Sequence, residues 1–271
     1  MQIPMQAISI FVFLLMPLSA FGGASLSICA DSNAALQDKA THCARALEKE
    51  DLSEKQRWGA YVNLARAHSD LGRYDRAEIA FTTAQEMRPH HLAVYPDRAK
   101  VREARGNYDG ALADWNVAQM LAPDDIDIQI GRGGFFMRRN EPAQALAEYE
   151  AALTNDPEGM DILFNRALAL IALDRKDAAV FDLTMVLSTA PNDAEAYYHR
   201  GRALTGQDDE TALADFIEAT THSPEWSWPW FMAGKTLDQL ARRGEALTYY
   251  RRAFELGHKD AWLLDRIQSA D

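Results

Sequence analysis

The chain has 271 residues, 28 basic and 40 acidic, for a formal charge of −12, and 48% are hydrophobic. An acidic balance with no sustained basic stripe argues against nucleic acid as a ligand. Its two cysteines cannot hold a metal by themselves, and the sequence contains no HExxH, GxSxG or Walker loop, so neither a cofactor nor an enzymatic reaction is expected.

Residues 1–24 carry no charged side chain, and the apolar run Ile8 to Leu18 has the length of a signal-peptide core. Ser19, Ala20, Gly22, Gly23 and Ala24 supply small residues for cleavage after Ala20 or Ala24. The leading MQIPMQ lacks Lys and Arg, which leaves an uncleaved anchor as the alternative. Pro17 and the glycines, however, cut the run short of a comfortable membrane span. A lipid-modified Cys29 is disfavoured by the bulky Ile28 before it. Residues 25–57 form the next segment, and Cys29 and Cys43 both fall in it.

In an exported chain an even pair of cysteines this close invites a disulfide; the other reading is two buried thiols. A bridge would close a loop of roughly 15 residues, worth about 3 kcal/mol in the chain-entropy model. It also requires a bend, because a continuous helix from Cys29 would hold the sulfurs apart. Asp31, Ser32 and Asn33 are candidate N-caps for a helix that follows, with Cys29 in the preceding turn.

From Trp58 to His91 the pattern changes. Tyr61, Leu64, Ala65 and His68, then Ala77, Phe81 and Ala84, recur with helical spacing. Gly72 between them supplies a left-handed corner, and Pro89 ends the second helix. Small Ala65, Ala77 and Ala84 permit close approach, while Tyr61, Tyr74 and Phe81 fill the wider gaps. The unit is a helical hairpin with one uncovered apolar side.

The hairpin recurs every 34 residues: Pro89, Pro123, Pro157 and Pro191, with Pro224 one residue short of the period; Ala77, Ala111, Ala145 and Ala179; and a large residue at Phe81, Trp115, Tyr149, Leu183, Phe216 and Tyr250. This order of residues resembles the tetratricopeptide repeat. The resemblance implies an all-α, right-handed superhelical solenoid of six hairpins, at 58–91, 92–125, 126–159, 160–193, 194–226 and 227–258. Residues 259–271 then form a capping helix over the last apolar face. Around the cysteines, Cys29, Cys43, Leu52 and Ser53 resemble the N-terminal part of exported tetratricopeptide proteins of alphaproteobacteria. That likeness implies a disulfide-pinned cap and a periplasmic setting in a Gram-negative bacterium.

Several copies depart from the pattern. In the third, Asn140 replaces the corner glycine and Pro142 opens the next helix. Its GRGG, Gly131 to Gly134, falls inside a helix with no preceding strand, so it is not a phosphate loop. Gly133 takes the place of a small packing residue, whereas Gly131 and Gly134 should weaken or bend that helix. The fourth copy is the most apolar, the fifth has a corner shorter by one residue, and the sixth opens with WSWPWF and puts His258 where Pro is expected.

Arg98, Arg132, Arg166 and Arg200 hold one position in the first helix of copies two to five. Asp114, Glu148, Asp182 and Asp215 hold one in the second. An anion-binding ladder is one reading. Since the acid recurs as faithfully as the base, structural pairing is preferred, within or between repeats. His68 is read as packing, His90 and His91 as corner residues, and His199 as lying on a helix with no Cys nearby.

The family's working surface is lined by the first helices. Carrying its positions over places the cations Arg66, Lys100, Arg202 and Lys235 there, together with Phe164, Leu168, Ile171, Tyr198, Trp228 and Phe231. Such a surface takes a peptide or helix of a partner protein with acidic flanks. The expectation is a non-enzymatic adaptor in envelope assembly or homeostasis. A second reading is a self-associating structural module that uses WSWPWF and the terminal helix.

Overall fold

A computed structural model of the chain describes residues 23–268. All regular structure among them is helical, and the chain divides into two compact units, one ending at Leu121 and the other starting at Ala122. Residues 1–22, which hold nearly all of the expected leader, and residues 269–271 lie outside the described residues.

In the first unit, α1 (Ala24–Ala30) and α2 (Leu36–Lys49) pack on each other and on α3 (Glu54–Asp70). Cys29 and Cys43 are bridged, with Cα atoms 4.7 Å apart. The necessary bend is present, but Cys29 lies in α1 rather than in a turn. Helix α2 also starts later than expected: its N-cap is Ala35, with no side-chain cap, while Asp31 Oδ1 accepts from the Asn33 N–H at 2.8 Å to shape the bend. The bridge fixes how closely the two helices meet, so the turn takes the polar residues that would otherwise have capped. Ser53 and Gln56 form a capping box at the start of α3. The unit continues through α4 (Tyr74–Met87), α5 (Val94–Ala104) and α6 (Tyr108–Leu121), each packed on the one before.

The second unit contains α7 (Ile126–Arg138), α8 (Pro142–Asn155), α9 (Met160–Ala172), α10 (Lys176–Thr189), α11 (Ala194–Leu204), α12 (Asp209–His222), α13 (Ser227–Gln239), α14 (Arg243–Glu255) and α15 (Ala261–Gln268), again packed in succession. Helix α15 closes the end. Leu263 is fully buried, and Arg266 grips Asp238 of α13 through two hydrogen bonds of 2.7 and 3.2 Å.

One small-against-large contact holds each hairpin together. The large residues Phe81, Trp115, Tyr149, Leu183, Phe216 and Tyr250 are all buried, as are the small residues across from them. Where the small partner is glycine, nothing larger fits. A β-carbon at Gly133 would stand 2.5 Å from the Tyr149 ring, and one at Gly234 would stand 2.6 Å from Tyr250. Close packing thus accounts for Gly133, and α7 runs unbroken through 131–134.

Corners between paired helices carry a residue in the left-handed region. At Gly72, Gly106 and Gly206 this costs little; Asn140 (φ 58°), Asp174 (φ 58°) and Ala241 (φ 60°) adopt it with a side chain. Reverse hydrogen bonds such as Arg242 N–H to the Leu237 carbonyl, 2.8 Å, satisfy the helix ends there.

Candidate functional site

The recurring arginines face inward, onto the recurring acids. Arg98 forks onto Asp114 with bonds of 2.9 and 2.7 Å, Arg166 onto Asp182 with 2.8 and 2.7 Å, and Arg200 onto Asp215 with 2.8 and 2.7 Å; Arg132 meets Glu148. Every pair lies within one hairpin, and all four acids are buried. The carboxylates hold the Arg166 and Arg200 guanidiniums above their ordinary range, while burial pushes Glu148 up. The fork also reaches backwards. Arg98 donates to Thr82 on α4, and Arg200 donates to Thr184 on α10, both at 3.2 Å. These arginines are therefore joints and leave no charge for a ligand.

The other cations in first helices differ between the units. In the first, Arg66 Nε sits 2.7 Å from Asp97 Oδ2, with half of its side chain exposed. The exposed Lys100 lies one turn beyond Asp97, and these residues with Ser69 and Asp70 line a shallow depression of about 290 Å³. Arg66 is thus partly neutralised, which leaves Lys100 as the open cation of this patch.

In the second unit the expected residues lie on α9, α11 and α13. Phe164, Leu168 and Ile171 are half-buried along one side of α9, spaced as one helical stripe. Helix α9 touches α11, and the Phe164 ring meets His199 edge-on at 5.7 Å. Tyr198 packs against Trp226 at 4.6 Å, and exposed Arg202 lies over the Tyr198 ring at 5.7 Å. On α13, Trp228 is 48% exposed and Lys235 lies 5.8 Å over the Phe231 ring. Tyr198 and Phe231 themselves are only 8% exposed and belong to the core of this unit. They support the face from beneath, because Trp226 and His258 cover them.

Two histidines complete this face. His199 is held down to about 4 by burial and by Arg202, whose Nη1 lies 3.3 Å from its Nδ1, so at neutral pH it is an uncharged ring. His258 stacks on Phe231 at 4.2 Å and meets Trp228 at 4.6 Å; burial lowers it too. Trp262 of α15 adds an edge against Phe231 and is 49% exposed. Sequence reasoning set His199 aside and missed the roles of His258 and Trp262. The available signal was positional: His258 takes the place of a repeat-ending proline.

A second recurring contact was also missed. The Tyr95 hydroxyl donates to the Pro89 carbonyl, Gln129 Nε2 to that of Pro123 at 2.9 Å, and Trp230 Nε1 to that of Pro224 at 3.1 Å. These donors share one position in their repeats, and they tie the starts of α5, α7 and α13 to the prolines before them.

Models of the tetratricopeptide repeat match residues 136–184, 59–91 and 229–256. Among solved structures, the chain is similar to a tetratricopeptide repeat protein from Parabacteroides merdae ATCC 43184 (TM-score 0.65, 17% identity, 86% of this chain and 91% of that one). It is similar to PilW, described as a widely conserved type IV pilus biogenesis factor (0.68, 18%, 79% and 98%). YrrB, described as a protein of this repeat class with an unusual peptide-binding site, also aligns (0.57, 23%, 69% and 96%). At these identities the likeness is one of fold. No curated protein sequence matches the chain.

Proposed function

We propose, from the premise that this chain belongs to the tetratricopeptide repeat family, that it is an exported, non-enzymatic adaptor that takes a segment of a partner protein on the α9–α11–α13 face of its second unit. The observation that carries this reading is the contrast among its cations. Arg166, Arg200 and Arg266 are each locked onto an acid, while the exposed Arg202 and Lys235 lie over aromatic rings with no carboxylate in ion-pair range among the described residues. An apolar stripe flanked by two unneutralised cations suits a segment with an aromatic or aliphatic anchor and acidic neighbours. In the first unit, Lys100 beside Arg66 is proposed as a separate, weaker acidic-group contact.

The disulfide supports residence in an oxidising compartment, and similarity to a pilus biogenesis factor makes the cell envelope the natural setting. A role in envelope assembly or homeostasis follows as part of the proposal.

Random-peptide display against the immobilised chain tests this reading. The native protein should enrich apolar peptides with acidic flanks, and Arg202→Glu with Lys235→Glu should shift selection to basic flanks. Identical peptides from both proteins would overturn it. These positions are better probes than Tyr198 or Phe231, whose truncation would damage the core. A second reading, self-association, is favoured by the exposure of Trp228 and Trp262 on one aromatic cluster. Sedimentation over a concentration series decides it, since a strict monomer removes it.

A further inference from the structure

The start of α1 holds a feature that the repeats do not explain. Glu50, the C-cap of α2, turns its carboxylate onto the beginning of α1, where Oε1 accepts the Ser25 N–H at 3.1 Å. Oε2 is buried and has no partner, and Glu50 makes no ion pair among the described residues. Ser25 is only 7% exposed. On the far side the Gly23 backbone runs close against this carboxylate, so near that a β-carbon there would lie 2.4 Å from the Glu50 carboxyl carbon. A carboxylate that receives one neutral N–H and leaves a buried oxygen bare is poorly compensated.

We propose that the chain is processed between Ala24 and Ser25, and that Glu50 is the receptor for the α-ammonium group this creates. The proposal rests on the export reading. Processing must leave Ser25 to Ala30 of α1 in place, because Cys29 is bridged and Ser25 is packed, so the cut falls before Ser25 and takes at most the first residue of the helix, Ala24. A leader peptidase asks for small residues at the last and third-last positions of the leader. Ala24 and Gly22 meet that requirement, whereas a cut after Ala20 would put Leu18 in the third-last place. Hydrolysis by such a peptidase adds water across the Ala24–Ser25 amide. Ala24 leaves as a carboxylate, and Ser25 keeps an amine that takes up a proton at neutral pH. Gly23 and Ala24 depart with the leader, which opens the side of the carboxylate that the Gly23 backbone had lined. The single N–H becomes three donors with a positive charge, enough for both oxygens of Glu50.

The test uses the full chain with its own leader, expressed in a Gram-negative host. Intact mass of the exported protein should correspond to a chain starting at Ser25. A start at Phe21, or any other start, overturns the assigned bond; an intact leader starting at Met1 overturns the export reading as well. On the mature protein, competitive labelling of the α-amine against pH should give a midpoint raised above the ordinary value of about 8, and a rate at pH 8 about five- to tenfold slower than in Glu50→Gln. Burial is common to both proteins, so equal labelling profiles would overturn the receptor role.

Discussion

At Ala241 a methyl group is held in a backbone conformation that disfavours it. The corner between α13 and α14 needs φ near 60°, and there the β-carbon crowds the carbonyl that follows. Ala241→Gly should therefore raise stability by about 1 kcal/mol, after subtracting the greater freedom glycine has when unfolded. Urea denaturation checks this, and an unchanged midpoint would show that the corner is not strained. Glycines and Asn140 at corners were legible in the sequence, because left-handed backbone has a residue signature. Asp174 and Ala241 were not, since neither residue type announces such a corner. Gly133 was legible as a small packing position. The hydrogen bonds to proline carbonyls were not, because Tyr95, Gln129 and Trp230 share a slot and a donor but no residue type.

Between helices, the buried ion pairs set the joint. Arg200 binds Asp215 across its own hairpin and Thr184 on the hairpin before, so one planar fork spans three helices. Asp215→Ala would strand this cation, at a cost of about 3 kcal/mol, while the double change Arg200→Met with Asp215→Leu should recover most of the loss. Chemical denaturation of the three proteins measures both effects; equal loss in the single and double variants would mean that the charge pair is not what matters. The sequence announced the pairing through the shared period of base and acid. It left open whether pairing ran within or between repeats, because a spacing of 15 or 16 residues reaches either neighbour. The candidate face was legible in part: its cations and Trp228 lie at the surface, while the burial of Tyr198 and Phe231 depends on Trp226 and on His258, which lies past the end of α14.

Across the whole molecule the ends are the places a stack of hairpins must protect, since an end repeat has no neighbour to cover its apolar side. Leu263 and Arg266 secure one end, and the bridged α1–α2 pair secures the start of the first unit. Reducing the Cys29–Cys43 bond should destabilise that unit by about 3 kcal/mol. Amide exchange should quicken first in α1 and α2 and leave α11 to α14 unaffected, and uniform loss of protection would contradict this local role. The repeat count and the helical class were readable because a nearly constant period runs through the copies. Details of the caps were not, because each end occurs only once and offers no pattern to compare. The arginine fork has one last consequence. Where a hairpin hands its arginine to a threonine on its predecessor, as Arg98 does to Thr82 and Arg200 to Thr184, the seam has the same chemistry in both units, so a copy that carries the pair can be duplicated or lost and the seam still fits. A lineage built this way can lengthen or shorten its array without inventing new chemistry.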